Sequence, residues 1–257
     1  MTAKNMTAKQ LATLATNIAK NQKTLYVMGC FGAPLNAKNK ARYTTNHSYN
    51  KQPTRKAMIN DATDDAFGFD CCGLIKGILW GWNGATGKTY GGAAYLSNGV
   101  PDISADAIIA VCKDVSTDFT NIEVGEAVWV SGHIGIYIGD GLVVESSPKW
   151  KNCVQLTACN RSKNGYNRRN WTKHGKLPYV TYDDTAEPKV GDVVHYNGTK
   201  HYTSANGSDS KACKGGKAQI TAIYQRGKSK HPYHLKRVSG AGSTVYGWVD
   251  AGTFSKI

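Results

Sequence analysis

Apolar side chains recur every three to four residues near the start of the chain, at Leu11, Leu14 and Ile18. This spacing places them on one face of a helix. Thr7 stands before the apolar run and Gln10 follows three residues later, which is the arrangement of a helix capping box. The pattern therefore predicts an amphipathic helix with a structural role.

A second helical pattern begins at Asp70, a residue type that caps helix N-termini. Its apolar face is formed by Leu74, Ile75, Ile78 and Leu79. The helix is predicted to run to about Trp80, and Cys71 then lies in its first turn. Free backbone N–H groups and the helix dipole favour a thiolate there, so Cys71 is a candidate nucleophile. The alternative is that Cys71 and Cys72 are two buried thiols that pack the helix start.

The patterning divides the chain into two parts. The stretch 36–65 is basic and short of apolar residues, which predicts a long surface loop or a substrate-facing insertion. Strand patterns begin near Glu126, so residues 1–180 are predicted to form an α+β domain. Short strand-like runs alternate with turns over residues 188–257 and indicate a small all-β barrel. Adjacent acids and a proline make 181–188 the predicted linker.

Alternating apolar residues over 125–147 predict a hairpin that reverses near Gly141. A two-residue Asp-Gly turn would send Glu145 to the face away from His133, so that register is rejected. A three-residue loop with Gly141 in the left-handed bulge position is preferred. It pairs Ile138 with Leu142 and Ile136 with Val144 on the core side.

In the preferred register, one face of the hairpin carries His133, Gly135, Tyr137 and Glu145. Glu145 is then diagonal to His133 and within reach of its imidazole. Taken singly, His133 can be a hydrogen-bonded strand histidine and Glu145 a solvated acid. Together with Cys71 they supply the nucleophile, base and orienting group of a cysteine acyl-transfer site.

Composition narrows the function classes. The 257 residues include seven cysteines, an odd number with neither paired CxxC spacing nor a dense disulfide framework, so buried free thiols are expected. A formal charge of +14 predicts an acidic partner, which can be nucleic acid, an anionic membrane or a bacterial wall. No apolar run approaches the roughly 20 residues of a membrane span. The first residues also lack a signal-peptide block, so the chain is expected to start in the cytosol.

Two motifs resemble the NlpC/p60-type branch of papain-like cysteine peptidases. Residues 70–73 read Asp-Cys-Cys-Gly where the family has Asp-Cys-Ser-Gly, and residues 132–139 match its Gly-His-x-Gly-x-Tyr-x-Gly pattern. The resemblance covers roughly residues 24–160 and implies a papain-like fold that needs no metal or other cofactor. It also implies that Cys71 is the nucleophile, His133 the base, Glu145 the orienting group and Cys72, at the family's serine position, a packing residue.

A looser match lies upstream, where residues 26–34 resemble the family's Tyr-x-x-Gly-Gly segment, whose tyrosine lies near the catalytic cysteine. Cys30 replaces a glycine of that segment, and a long insertion separates Pro34 from Phe67. The orienting group is Glu145 where the family more often has His or Asn, and a carboxylate also fixes the histidine tautomer. The predicted substrate-binding residues are Tyr26, Asp70, Trp129 and Tyr137.

The second part resembles the SH3-like wall-binding barrels that end many endolysins of phages infecting Gram-positive bacteria. Runs such as VGDVVHYNG and YGWVDAGTF carry the resemblance, and basic residues outnumber acids there. Tyr202, Tyr233 and Trp248 are the predicted wall-binding residues, with an anionic wall as the partner. The alternative is that half of the aromatic residues fill a small barrel core.

These resemblances imply an endolysin-type peptidoglycan hydrolase that cleaves a stem-peptide amide. The bond between D-glutamate and the diamino acid is preferred, and the bond cut by an N-acetylmuramoyl-L-alanine amidase is the alternative. Synthesis in a host cytoplasm and holin-type release to the wall are expected. Two other classes stay open: a wall-binding protein with an inactive peptidase fold, and a nucleic-acid binder. The latter is disfavoured because the basic residues are spread along the chain and no recognition helix is visible.

Overall fold

The computed structural model of the protein describes residues 6–182 and 188–256. The chain forms two compact units, Met1–Asp183 and Asp184–Ile257. The boundary falls inside the predicted linker, most of which lies outside the described residues. Helices and strands are both present, as the α+β prediction requires. No helix in the described ranges is long and apolar enough to cross a membrane.

The first unit contains helices α1 to α6 and strands β1 to β10. The helices are α1 (Ala8–Asn21), α2 (Ala37–Asn46), α3 (Ser48–Lys51), α4 (Pro53–Asp61), α5 (Cys71–Leu79) and α6 (Ala105–Val111). The strands are β1 (Thr24–Tyr26), β2 (Phe31–Pro34), β3 (Phe67–Phe69), β4 (Lys113–Ser116), β5 (Ala127–Val130), β6 (His133–Gly139), β7 (Leu142–Ser147), β8 (Cys153–Cys159), β9 (Arg168–Arg169) and β10 (Lys173–Lys176). Short 3-10 turns lie at Ser97–Gly99 and Phe119–Asn121.

Two sheets organise this unit. The smaller one has the strand order β1-β3-β2, and the larger one has the order β4-β10-β5-β6-β7-β8-β9. The larger sheet is antiparallel except for the β8–β9 pair, which is parallel. Helices α1 and α5 pack against β6 and β7 in the middle of the larger sheet. The main core of the unit lies between these helices and the sheet.

Helix α1 begins with the predicted capping box. The Thr7 side chain accepts a hydrogen bond from the Gln10 backbone N–H (3.1 Å), and the Gln10 side chain accepts one from the Thr7 N–H (2.9 Å). Leu11 and Ile18 are buried, whereas Leu14 lies at the edge of the apolar face and is 38% exposed. The predicted amphipathic helix is therefore confirmed.

The basic stretch 36–65 is mostly helical, so the prediction of a long surface loop is wrong. Asn36 caps α2 by accepting a hydrogen bond from the Asn39 N–H (3.1 Å). Pro53 occupies the first position of α4, where its missing N–H and fixed φ are tolerated. Each of these helices buries only one large apolar or aromatic side chain, Tyr43 in α2 and Ile59 in α4. Such sparse apolar positions leave little helical period to detect.

Helix α5 lies directly against strand β2. It runs from Cys71 and ends at Leu79, one residue before the predicted end, and every residue in it is buried. Two glycines make the close approach possible. A Cβ atom on Gly73 would lie 2.0 Å from the Cys30 carbonyl oxygen, and one on Gly77 would lie 2.5 Å from the Phe31 carbonyl oxygen. The backbone of α5 therefore packs directly against the backbone of residues 30 and 31, close to the helix start where Cys71 lies.

The β6–β7 hairpin follows the predicted register only in part. Ile136 pairs with Val144 as predicted, but Leu142 pairs with Gly139 and not with Ile138. The loop consists of an Asp-Gly pair with left-handed backbone, φ 53° and 68°, so the prediction of a three-residue loop is wrong. The extra residue forms a bulge inside β6 at Ile138 instead. On the side of the bulge away from the loop, the strands have the predicted register, and His133 and Glu145 face the same side of the sheet.

The second unit consists of strands in its described part. They are β11 (Val193–Tyr196), β12 (Lys200–Tyr202), β13 (Ser210–Ala212), β14 (Gly216–Ile223), β15 (Tyr233–Arg237), β16 (Tyr246–Val249) and β17 (Phe254–Lys256). Their order is β13-β12-β16-β15-β14-β11-β17, and neighbouring strands are antiparallel. The core is formed by Val194, Tyr196, Ala218, Ile220, Tyr233, Leu235, Val245 and Val249.

Gly77→Ala tests the close packing of α5 on β2. Alanine is favoured over glycine inside a helix by roughly 1 kcal/mol. The added methyl group would collide with the Phe31 carbonyl and cost about 1–3 kcal/mol. We therefore expect a lower free energy of unfolding in urea. Gly87→Ala is the control, because its methyl group would meet nothing within 4 Å. A urea midpoint that rises in Gly77→Ala as much as it does in Gly87→Ala or more would contradict the close packing.

Candidate active site

Strands β6 and β7 bring a histidine and a glutamate together in the middle of the larger sheet. His133 is the first residue of β6, and Glu145 lies on β7 facing the same side. The His133 Nε2 atom is 2.6 Å from the Glu145 Oε2 atom. Glu145 is completely buried, and the His133 side chain is 15% exposed. The pair predicted from the alternation of residues is thus formed, and the Glu145 carboxylate is not solvated.

The first turn of α5 places Cys71 beside His133. Asp70 caps this helix: its Oδ1 atom accepts a hydrogen bond from the Gly73 N–H and its Oδ2 atom accepts one from the Gly29 N–H (2.7 Å). Since Nε2 of His133 faces Glu145, Nδ1 is the ring nitrogen left for the hydrogen bond with the Cys71 sulfur.

The environment favours the thiolate of Cys71. A hydrogen bond from the neighbouring Cys72 thiol lowers the pKa of Cys71 most, and the His133 imidazole and the Ile134 backbone N–H lower it further against the opposing effect of burial. The pKa of Cys72 is raised by the same contact and by burial. These opposite shifts favour Cys71 as the thiolate of the pair, with the Cys72 thiol as the hydrogen-bond donor.

The pKa of His133 moves in the opposite direction. Burial lowers it, but the hydrogen bonds with Cys71 and Glu145 outweigh burial and raise the pKa to about 8. Burial likewise raises the pKa of Glu145, but the contacts with His133 and Arg169 outweigh it, and the net shift is downward. The three shifts together favour a thiolate, an imidazolium and a carboxylate near neutral pH.

Two residues that the sequence did not single out hold Glu145 in place. Arg169, on β9, donates a hydrogen bond from Nε to the Glu145 Oε1 atom (2.8 Å). Its Nη2 atom is 2.7 Å from the Glu145 Oε2 atom. The Thr157 hydroxyl on β8 donates to Oε1 (2.7 Å). A buried carboxylate needs such compensation, since an unpaired buried charge costs several kcal/mol. Both carboxylate oxygens are thus occupied, and the orientation of Glu145 toward His133 is fixed.

Two tryptophan rings, those of Trp150 and Trp171, pack against the charged side chains of the site. The Trp171 ring stacks on the His133 ring, with the centroids 5.5 Å apart and an interplanar angle of 12°. The Arg169 guanidinium lies over both the Trp171 ring (5.5 Å) and the Trp150 ring (4.8 Å). These cation–π contacts hold the guanidinium in one position. The Asn-Arg-Arg-Asn-Trp run at 167–171 was the available sequence clue.

The cysteine opens onto a cleft of about 460 Å³. Tyr26, Asp70, Cys71 and Cys72 line it on one side. The cleft also has charged or titratable lining side chains that the sequence did not predict, namely His47, Lys76, Asp102 and Asp106. His47 belongs to the stretch 36–65, so part of that stretch does face the cleft. Lys76 is paired with Asp102, which also accepts a hydrogen bond from the Tyr95 hydroxyl (2.9 Å).

The predicted substrate-binding residues do not all reach this cleft. Tyr26 is buried beside Cys71, and burial followed by the charges of Cys71 and Asp70 raises the pKa of its hydroxyl, so the hydroxyl stays protonated. Trp129 does not line the cleft itself. Its Nε1–H donates a hydrogen bond to the Oδ1 atom of Asp106, which does line the cleft (2.7 Å). Tyr137 lies in another cavity, where its hydroxyl accepts a hydrogen bond from a loop backbone N–H (3.2 Å). Its placement at the substrate cleft is a prediction that the geometry does not support.

Among the described residues, one group of side chains has the spacing of a metal site. The carboxylate of Asp70 and the sulfurs of Cys71 and Cys72 have ligand atoms within 4.8 Å of one another. Both Asp70 oxygens already accept backbone hydrogen bonds from Gly29 and Gly73. Of the three side chains, the two cysteines are therefore the ones whose ligand atoms do not accept backbone hydrogen bonds from Gly29 and Gly73.

The second unit separates its three predicted wall-binding aromatics. Tyr233 is 6% exposed and packs edge-on against Phe254 in the core, so its ring is not available to a ligand. Tyr202 stacks on His231, with the ring centroids 3.4 Å apart. Trp248 is half-buried and pairs with Tyr202 across neighbouring strands. Its other ring contacts are with Tyr224 and His234.

Comparison with known proteins adds no relative. No family model matches the chain, and no curated protein matches it. The geometry of the site is therefore the basis on which a function is inferred.

Arg169→Met tests whether the buried guanidinium tunes the site. Without this cation the pKa of Glu145 rises, His133 loses its ionised partner, and the Cys71 thiolate is less stabilised. We expect iodoacetamide alkylation of Cys71 at about pH 6 to slow roughly ten- to hundredfold, the equivalent of one charge-assisted hydrogen bond of about 1.5–3 kcal/mol. Peptide mass spectrometry would separate Cys71 from Cys72.

Arg169→Lys is the matched control, because it keeps the charge and loses the two-point contact. Its alkylation profile against pH should lie close to that of the wild type. If both variants are equally destabilised and the pH profile of Cys71 does not move, Arg169 has only a structural role.

Proposed function

We propose that the protein is a cysteine peptidase of the NlpC/p60 type that hydrolyses peptidoglycan. The observation that carries the proposal is the Cys71–His133–Glu145 arrangement, in which a helix-start thiolate meets an imidazole whose far nitrogen is 2.6 Å from a buried carboxylate. Papain-like enzymes require a cysteine on a helix packed against an antiparallel sheet that carries the histidine. The packing of α5 on β6 supports that proposal for residues 1–180.

The proposed chemistry is acyl transfer through a thioester. The Cys71 thiolate attacks the carbonyl carbon of an amide, and backbone N–H groups at the start of α5 are the proposed donors to the oxyanion. The His133 imidazolium gives its proton to the leaving amine as the C–N bond breaks. Neutral His133 then takes a proton from water, the hydroxide attacks the thioester carbonyl, and the thiolate leaves. This cycle restores the starting ion pair.

The proposed substrate is a stem peptide of Gram-positive peptidoglycan, with the D-glutamyl–diamino acid bond as the bond cleaved. The cleft supports a substrate with both charge signs, because it presents Lys76 together with Asp102 and Asp106. Such a mixture fits a peptide that carries carboxylates and amines. In this proposal neither a nucleic acid nor a membrane is the partner.

The second unit is proposed to be an SH3-like wall-binding domain over residues 188–257. Its antiparallel strands and its partly exposed aromatic residues support this assignment. Tyr224 and Tyr246 are 45% and 62% exposed and extend the surface around Trp248. Basic side chains on the same part of the chain favour an anionic wall. Synthesis in a host cytoplasm followed by holin-type release completes the proposal.

Cys71→Ala tests the proposed hydrolysis. Purified Gram-positive peptidoglycan is digested with the wild type and the variant, the new amino termini are labelled, and the fragments are identified by mass spectrometry. Release should vanish in Cys71→Ala because the nucleophile is lost, while Cys153→Ala, a partly buried thiol on β8, should keep it. A labelled diamino acid supports the preferred bond, and a labelled L-alanine supports an amidase. Equal biological effect of both variants without fragments would favour a binding protein.

Trp248→Ala tests the wall-binding assignment. Loss of the indole removes the centre of an aromatic surface, and stacking of this kind contributes about 1–3 kcal/mol. Retention on washed walls, measured by sedimentation in the Cys71→Ala background, should fall roughly fivefold or more. Tyr166→Ala, an exposed aromatic of the first unit, is the control and should be retained normally. Equal retention of the two variants would place wall binding elsewhere.

A further inference from the structure

One asparagine joins the end of strand β8 to the segment 169–171. The Asn160 backbone N–H donates a hydrogen bond to the Arg169 carbonyl oxygen (3.0 Å), and the Asn160 Oδ1 atom accepts one from the Trp171 N–H (2.6 Å). In regular parallel pairing, a residue donates through its N–H and accepts through its own carbonyl oxygen. The Asn160 side chain therefore takes the place of the backbone acceptor and extends the β8–β9 pairing by one bond.

The backbone conformation of Asn160 explains why a side chain makes this bond. Strand β8 ends at Cys159, and Asn160 has left-handed backbone with φ 59°. A strand does not continue through such a residue, so the regular pairing stops there. Asparagine and aspartate tolerate this conformation better than other residues with a side chain, and each carries an oxygen that can accept a backbone hydrogen bond. The residue type at position 160 thus meets two requirements at once.

The segment that Asn160 holds carries two contacts of the candidate active site. Arg169 donates from Nε to the Glu145 Oε1 atom (2.8 Å), and the Trp171 ring stacks on the His133 ring with the centroids 5.5 Å apart. Both contacts depend on where the backbone of this segment lies, because each side chain starts from it. Strand β9 has only two residues, so its own pairing is short. An added hydrogen bond from Asn160 therefore matters more here than it would beside a long strand.

We infer that Asn160 is a positioning residue of the candidate active site. Through its two hydrogen bonds to the segment 169–171, it aligns Arg169 with Glu145 and the Trp171 ring with His133. It acts through these residues and takes no part in bond making. The inference concerns the ionised site, which can be tested whether or not the chain hydrolyses peptidoglycan. Its consequence for hydrolysis rests on the proposed function.

Two substitutions of Asn160 separate the side-chain acceptor from the backbone conformation. Asn160→Gly keeps the left-handed backbone and the N–H donor and removes the Oδ1 acceptor. Asn160→Asp keeps an acceptor, and its carboxylate would contact solvent because Asn160 is half-buried and lines a cavity of about 560 Å³. Asn98→Gly is the matched control. Asn98 is also half-buried, has φ 61° and makes one side-chain hydrogen bond, to the Leu79 carbonyl oxygen (2.8 Å).

Iodoacetamide alkylation of Cys71 in the full chain, followed against pH by peptide mass spectrometry, tests the inference. Asn160→Gly should slow alkylation at about pH 6 by roughly three- to tenfold, because a displaced Arg169 stabilises the Glu145 carboxylate less well. The rising limb of the pH profile should move to higher pH. Asn160→Asp should follow the wild-type profile, and so should Asn98→Gly.

Urea unfolding of the two glycine variants separates positioning from stability, since both should lose a similar free energy of unfolding. An Asn160→Gly profile that coincides with that of Asn98→Gly would overturn the inference. An Asn160→Asp profile that coincides with that of Asn160→Gly would overturn it as well, because the acceptor would then have no effect.

Peptidoglycan digestion distinguishes this inference from the proposed function. At pH 6, Asn160→Gly should release wall fragments more slowly than the wild type, and Asn160→Asp should restore the rate. A wild type that releases nothing, together with the expected alkylation shift, would support the inference and refute the proposed function. Hydrolysis by the wild type with an unshifted Asn160→Gly alkylation profile would overturn the inference and leave the proposed function standing.

Discussion

The buried carboxylate of Glu145 is the constraint on which the first unit depends. A single ionised carboxylate without solvent contact is strongly unfavourable unless every lone pair finds a donor. Arg169, Thr157 and His133 together meet that requirement, at distances between 2.6 and 2.8 Å. Removing any one of them leaves the buried carboxylate with fewer donors, and loss of the Arg169 charge is the most costly of these changes. The same three contacts keep Glu145 ionised and therefore able to orient the histidine.

This requirement explains otherwise odd features of the larger sheet. Strand β9 has only two residues and lies at the end of the larger sheet, where it pairs in parallel with β8, and Arg169 of this strand contacts the carboxylate. Trp171 follows Arg169 by two residues. Its ring stacks on the His133 imidazole and also contacts the Arg169 guanidinium. The short strand therefore contributes few backbone hydrogen bonds, and its position is fixed by the ionic and aromatic contacts of its side chains.

The site was predictable from sequence to the extent that its geometry is local. Cys71 follows from the helix cap at Asp70, and the pairing of His133 with Glu145 follows from the two-residue period of adjacent strands. The run at 167–171 showed a basic and aromatic cluster, but the strand that carries Arg169 has only two residues, so no alternation of faces linked Arg169 to Glu145. The helices of residues 36–65 were not predicted because they bury few apolar residues, so the sequence shows no clear helical period there. The bulge at Ile138 was not predicted because an Asp-Gly pair is compatible with both a two-residue and a three-residue hairpin loop.

Strand alternation could have sorted the aromatic residues of the second unit. Tyr233 precedes Leu235 by two residues on β15, and both point to the core, as the apolar character of Leu235 indicates. Trp248 precedes Val249, which is buried, so the indole must point to the opposite face. The period that reveals the His–Glu pair thus also distinguishes a core tyrosine from a surface tryptophan. Residue type alone cannot do so, because aromatic rings suit both a small core and a ligand surface.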